Sequence, residues 1–244
     1  MVVALLEKIT STLVEGKKGT LFSSISRGIE HDDEKCRLFV SEEGLSTGSL
    51  IIGSEDAREV CEDFSSLKKP LLTSMGKNEM PVFVYPIRPD DILYLFGAGH
   101  ISTFVAPLAK MIGFKVIVID DREEFANSER FQDVDEIMVQ PFSEVLNGIE
   151  FTPSTYIVIV TRGHVHDRNI LKGVIDKKTA YIGMIGSRRK KKIIFESLVE
   201  DGVHEKLLDR VHSPIGLDIG ADTPEEIAVS IVGELIESRT SLSV

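Results

Sequence analysis

The residues best suited to chemistry fall in short segments in the second half of the chain. Gly97-Ala98-Gly99-His100-Ile101-Ser102 follows the apolar run Ile92–Phe96. Glycines at this spacing permit a tight turn and let backbone amides approach a phosphate at a helix start, where the helix dipole favours an anion. Asp120-Asp121-Arg122 ends a second apolar run, and a carboxylate there can accept hydrogen bonds from ribose hydroxyls. Thr161-Arg162-Gly163-His164-Val165-His166-Asp167 follows another run. Imidazole and carboxylate suit zinc or iron, which makes His164 and His166, with Asp167, the metal candidates. A plainer reading has one of these histidines capping the next helix and another bonding a carbonyl. Gly186-Ser187-Arg188 pairs a glycine turn and hydroxyl with cations, the makings of an anion site, while Lys190 to Lys192 read as a solvated helix face. Asp218 sits in a glycine-bearing stretch, Ser213 to Asp222, that leads into the capping box Thr223-Pro224-Glu225-Glu226.

The elements that must hold these residues can be read from periodicity. Ile92–Phe96, Lys115–Ile119, Glu136–Val139, Thr155–Thr161 and Thr179–Ile185 are short apolar strands separated by helical stretches. Strands that are apolar throughout imply a parallel sheet covered on both faces. The helix after Gly99 carries Ile101, Phe104, Val105, Leu108 and Ile112 on one face, and Pro107 is expected to kink it. Strand, glycine turn, helix, strand and acid in this order describe an α/β, Rossmann-like dinucleotide fold over residues 89–244. Ser102 replaces the third glycine, so looser helix–strand packing is expected there. Ligands of such sheets bind at the carboxyl ends of the strands, which should bring His100, Asp120, Asp121 and the Thr161 loop into one crevice.

Residues 1–88 read as a smaller α+β domain. A helix is expected over 2–14, then an antiparallel sheet from Gly19–Ser26, Arg37–Ser41 and Gly48–Ile52. A helix from Ser54 to about Phe64 and a strand over Val82–Ile87 follow, and Arg88-Pro89-Asp90-Asp91 marks the boundary.

The 244 residues carry a formal charge of −11, which excludes nucleic-acid binding through bulk charge. No apolar run approaches the ~20 residues of a membrane span. Met1 to Ile9 has no basic region and no cleavage motif, so no signal peptide is expected. The only cysteines, Cys36 and Cys61, form no CxxC pair. A cytoplasmic protein is expected.

Taken together, Leu95-Phe96-Gly97-Ala98-Gly99-His100, Asp120-Asp121-Arg122, Arg130-Phe131, Thr161-Arg162-Gly163-His164, Ile182 to Lys190 and Pro214-Ile215-Gly216-Leu217-Asp218-Ile219-Gly220 resemble the XdhC/CoxI family from about Val82 to Ile236. The resemblance implies an accessory factor without turnover of its own. It would bind molybdenum cofactor, protect it during sulfuration and pass it to an apo molybdenum hydroxylase of the xanthine dehydrogenase type. A cysteine desulfurase partner and a homodimer are also implied. In that reading the Gly97–Ser102 amides hold a phosphate, Asp120 or Asp121 pairs with ring nitrogens, and Arg162, Arg188 and His164 balance an anionic metal end. The family's smaller domain often carries a glycine-rich segment with cysteine and glutamate. Here the matching stretch, Gly44 to Gly53, has no cysteine, and Cys61 reads as a buried thiol. Two other readings use the same crevice: an NAD(P)-dependent oxidoreductase with His164 or His166 as proton donor, and a metal-dependent regulator built on His100, His164 and His166.

Overall fold

The computed structural model describes residues 2–25, 36–48, 50, 67, 69–75 and 79–241. The chain divides between Pro89 and Asp90 into two units. In the first, helix α1 (Val2–Val14) precedes strands β1 (Gly19–Ser24), β2 (Arg37–Ser41), β3 (Ser46–Gly48), β4 (Leu71–Met75) and β5 (Met80–Ile87). They form an antiparallel sheet in the order β3-β2-β1-β5-β4. Phe22, Leu38, Val40, Val82 and Val84 alternate onto one buried face. β3 reaches Gly48, at φ +121, and most of the strand expected over Gly48–Ile52 lies outside the described residues. The helix expected from Ser54 to about Phe64, and Cys61, lie outside the described residues.

The second unit starts with β6 (Ile92–Phe96), α2 (His100–Met111), β7 (Lys115–Asp120), β8 (Glu136–Val139), α3 (Phe142–Gly148) and β9 (Thr155–Ile159). It continues through α4 (His164–Val174), β10 (Tyr181–Met184), α5 (Arg188–Glu200), α6 (Glu205–Leu208), β11 (Val211–His212) and α7 (Pro224–Ser241). All six strands pair in parallel, in the order β11-β10-β9-β6-β7-β8. This is the doubly wound dinucleotide-fold order, whose topological switch lies between β6 and β9. The sheet is apolar on both faces because each face is covered. Leu93, Leu95, Val116, Val118, Tyr156 and Val158 pack against Val105, Ala109, Ile231 and Leu235 from α2 and α7. Phe96, Ile119, Ile157, Ile159, Ile182 and Met184 pack against Phe142, Ile170, Leu171, Ile194 and Leu198 from α3, α4 and α5.

α2 runs through Pro107, which is exposed, so the missing N–H falls on the solvent side. Ser102 does not loosen the packing. It is fully buried and donates its hydroxyl back to the Gly97 carbonyl, which ties the first turn of α2 to the glycine turn.

Gly97 sets how closely β6 meets β9. Its φ is +102, and a Cβ there would lie 2.6 Å from the Val160 carbonyl oxygen and 2.9 Å from the Thr161 Cα. Gly97→Ala is therefore expected to destabilise the fold by about 2–5 kcal/mol, combining left-handed strain with overpacking. Gly113→Ala, at φ +89 with open space around it, should lose only the conformational part, about 1 kcal/mol. Urea unfolding of the two variants checks this, and equal losses would place the cost in backbone conformation alone.

Candidate crevice at the switch point

α2, α4 and α5 each begin where a strand ends, so their N-termini share the carboxyl edge of neighbouring strands β6, β9 and β10. Gly99 caps α2 and Gly163 caps α4, and neither end has a side-chain cap. Their first-turn amides are thus left for another acceptor. No heavy atom lies within 4 Å of a Cβ built on Gly99 or Gly163. In contrast to Gly97, these glycines face open space. His100 is exposed at the start of α2 and Ile101 is half-buried beside it. Ala98 is fully buried.

The acid pair divides its work. Asp120 is 1% exposed. Its Oδ2 accepts from the Ala98 N–H at 2.8 Å and from Arg122 Nη2 at 3.0 Å. Its Oδ1 accepts from Arg122 Nε at 2.8 Å and from the Arg122 N–H at 3.2 Å. Burial raises the Asp120 pKa, but the hydrogen bonds from Arg122 and Ala98 outweigh it and hold the carboxyl below its usual range. The carboxylate expected to meet a ribose or a ring nitrogen is thus engaged by the protein, and Arg122 is turned onto it. Arg122 also lies over the Phe125 ring, 3.7 Å from its centroid. From the other side, Arg130 donates to the Ala98 carbonyl at 2.8 Å and to the Phe125 carbonyl at 2.7 Å. Asp121 stays partly open and accepts from Arg162 Nη2 at 3.2 Å. That pair joins the loops after β7 and β9, with β6 between them.

The loop after β9 is held from below. Thr161 Oγ1 donates to Asp167 Oδ1 at 2.6 Å. Asp167 is fully buried, and its other oxygen pairs with Lys190, whose side chain is 14% exposed. Lys190 is therefore no solvated lysine. It crosses from α5 to α4 and neutralises a buried acid. Lys190 also explains Gly186, at φ +154, where a Cβ would lie 2.6 Å from the lysine Cδ. Removing one partner of such a pair costs about 3–5 kcal/mol, because the other charge is left buried and alone.

The metal set expected from His164, His166 and Asp167 does not assemble. Asp167 is committed to Lys190 and Thr161, His166 lies edge-on to Phe142 with centroids 5.4 Å apart, and His164 is exposed. No three His, Cys, Asp or Glu side chains converge as metal ligands among the described residues. Ser187 caps α5 by accepting from the Lys190 N–H at 3.2 Å, while Arg188 and Arg189 stay exposed at the helix start. Asp218 is exposed, and no hydrogen bond ties its side chain to the crevice among the described residues.

The roles of Lys190 and Arg130, and Glu234 altogether, are not read from the sequence. Asp167 carries a usable signal for the first, since it shares one buried face of α4 with Ile170, Leu171 and Val174. A carboxylate in phase with an apolar stripe needs a buried cation. Glu234 stands likewise in phase with Ile227, Ser230 and Ile231 on α7.

Asp120 gives the crevice a pH signature. Its folded pKa lies below the unfolded value of about 3.9, so its contribution to stability is present above that value and is lost as pH falls through the folded pKa. The melting temperature is expected to drop below about pH 4. Asp120→Asn should melt lower at pH 7 yet show a shallower acid limb. A thermal-denaturation series across pH 2–8 checks this, and parallel acid limbs would remove Asp120 as a source. Asp135 and Glu234 are shifted in the same direction and keep part of the limb in the variant.

The family model of the XdhC Rossmann domain matches residues 93–235. The YqeB protein of Escherichia coli strain K12 is 33% identical over 223 residues, covering 84% of this chain and 40% of the relative. From Bacillus subtilis strain 168, a protein described as a probable subunit of xanthine dehydrogenase is 35% identical over 163 residues, covering 67% of this chain and 47% of the relative. The chain thus spans less than half the length of these curated relatives. A crystal structure of a xanthine dehydrogenase from Bacillus halodurans is similar with a TM-score of 0.69 and 26% identity, covering 98% of this chain and 64% of that chain. With its glycine turn, acid pair and β9 and β10 loops all inside the matched region, the chain belongs to the XdhC family.

Proposed function

We propose that this chain is an accessory factor for a molybdenum hydroxylase of the xanthine dehydrogenase type, and that the crevice carries molybdenum cofactor as cargo. The observation that carries the reading is the uncapped N-terminus of α2 beside open space at Gly99, within a family whose relatives include a probable subunit of xanthine dehydrogenase. Molybdenum cofactor brings a phosphate, a fused heterocycle and an anionic metal–dithiolene group, and the donors here suit each. The amides of Gly99, His100 and Ile101 would take the phosphate. Arg162 and Arg188 would face the anionic metal end, with His164 beside them. Asp121, less buried than Asp120, is the better partner for ring N–H groups. Arg122 and Asp120 keep the glycine turn in place, Thr161 and Gly163 shape the β9 loop, and Gly186 and Ser187 start α5.

The chain in this reading binds, orients and shields its cargo rather than turning it over. Sulfuration would draw on a cysteine desulfurase, insertion on the apo-hydroxylase, and the chain would act as a homodimer. No helix among the described residues is long and apolar enough to cross a membrane.

A dinucleotide is the second reading, favoured by the strand order. The engaged Asp120 weighs against it, since ribose recognition calls for a carboxylate free to accept. Co-expression with cofactor synthesis, followed by metal analysis and pterin fluorescence of the purified protein, tests the pair. About one molybdopterin per chain is expected, with no saturable binding of NAD(H) or NADP(H). Gly99→Ala fills the open space at a cost of under about 1 kcal/mol in folding, and should lose at least fivefold in bound pterin. Tight nicotinamide binding without pterin would favour the oxidoreductase instead.

A further inference from the structure

One buried acid lies apart from everything assigned so far. Glu234, on α7, is 9% exposed and fully engaged. Its Oε2 accepts from the Gly216 N–H at 2.7 Å and from the Tyr181 hydroxyl, and its Oε1 lies 3.0 Å from His212 Nδ1. Ser230, one turn earlier, donates to the Leu217 carbonyl at 2.7 Å, and the Leu217 N–H returns a bond to the Ser230 carbonyl at 3.2 Å. The fit is close on both sides. A Cβ on Gly216, at φ +97, would lie 2.3 Å from Ser230 Oγ, and one on Gly233 would lie 2.9 Å from Leu217 Cδ1. α7 therefore does more than cover the sheet. It seats residues 216–217 backbone by backbone.

Those residues belong to the segment that leaves β11 and crosses the carboxyl edge, where the Ile215 N–H bonds the Met184 carbonyl at the end of β10. On one side of the seat is Asp218, exposed. On the other is Ser213, whose buried hydroxyl is the only buried side-chain polar atom among the described residues without a partner. A buried hydroxyl left unpaired costs about 1–3 kcal/mol, so such groups call for an explanation. The segment is thus pinned at its centre and carries polar groups not used by the protein on either side.

We propose that Glu234 is a positioning residue for the crevice: by holding Gly216, it aims the 213–218 segment at cargo bound along the carboxyl edge. This rests on the crevice being the binding site. The segment would add its own polar groups to those already facing the cargo; what Glu234 supplies is an acceptor geometry. Glutamine can reproduce that geometry, with its carbonyl oxygen toward Gly216 and Tyr181 and its amide donating to a neutral His212.

Hydrogen–deuterium exchange and bound pterin, measured on the full chain, test the idea. In Glu234→Ala, exchange of the 215–219 amides should rise at least tenfold while β6 and β9 stay protected, and bound pterin should fall at least fivefold. Glu234→Gln should return both to within about twofold of the parent. Unchanged exchange in the alanine variant would overturn the proposal. So would faster exchange with full pterin content, or a glutamine variant as impaired as alanine. If the alanine variant does not fold, Ser230→Ala, which removes only the bond to Leu217, should raise exchange at 216–218 at least threefold, and no rise would overturn it. A parent protein that holds no pterin would count against the cofactor reading, while the exchange measurements still decide the anchoring role.

Discussion

Two backbones meeting at van der Waals limit organise the carboxyl edge of this protein. Gly97, at the end of β6, lies so near Val160 and Thr161 that no side chain fits between them. That approach forces the turn, and the turn starts α2. It also places the loops after β6 and β9 side by side at the point where the strand order reverses. Around the contact each loop is fastened by a different bond: Asp120 to Ala98, Arg130 to Ala98, Asp121 to Arg162, and Thr161 through Asp167 to Lys190. The crevice is a set of loops locked to one another, which is how a rigid scaffold presents a binding site.

Electrostatics near the crevice differ from those of the molecule as a whole. The formal charge is −11, yet every buried acid at the edge has a partner: Asp120 has Arg122, Asp167 has Lys190, and Glu234 has His212 with two neutral donors. Once Asp120 and Arg122, Asp167 and Lys190, and the surface pair Asp121 and Arg162 are set against one another, Arg188, Arg189 and uncapped helix amides face solvent at the strand ends. A local positive field on an acidic protein selects for a small anionic ligand and leaves the rest of the surface repelling polyanions.

The fold is legible in the sequence where packing demands it. Ile92–Phe96 and the interior of β9 read as strands because both faces are covered, and unbroken apolar runs are what two-sided burial looks like in sequence. β4 escapes because Leu71 and Leu72 are both exposed on an edge strand, so no alternation marks it. Two-residue β11 is too short to carry a period. At the crevice, the glycine turn and acid pair are visible because their chemistry is local. Partners are not. Nothing near Asp120 in sequence shows that the Ala98 amide would occupy it, or that one lysine in a basic run would turn inward to Asp167. Those choices depend on which elements become neighbours, and that is settled by the sheet order.

The most direct measurement is the position of molybdenum in crystals of the chain loaded with molybdenum cofactor, located from its anomalous scattering. The account predicts a single peak at the carboxyl edge, beside the loops that follow β9 and β10 and within reach of Arg162 or Arg188. A peak away from that edge, or loaded protein that crystallises with its molybdenum at no fixed position, would contradict it.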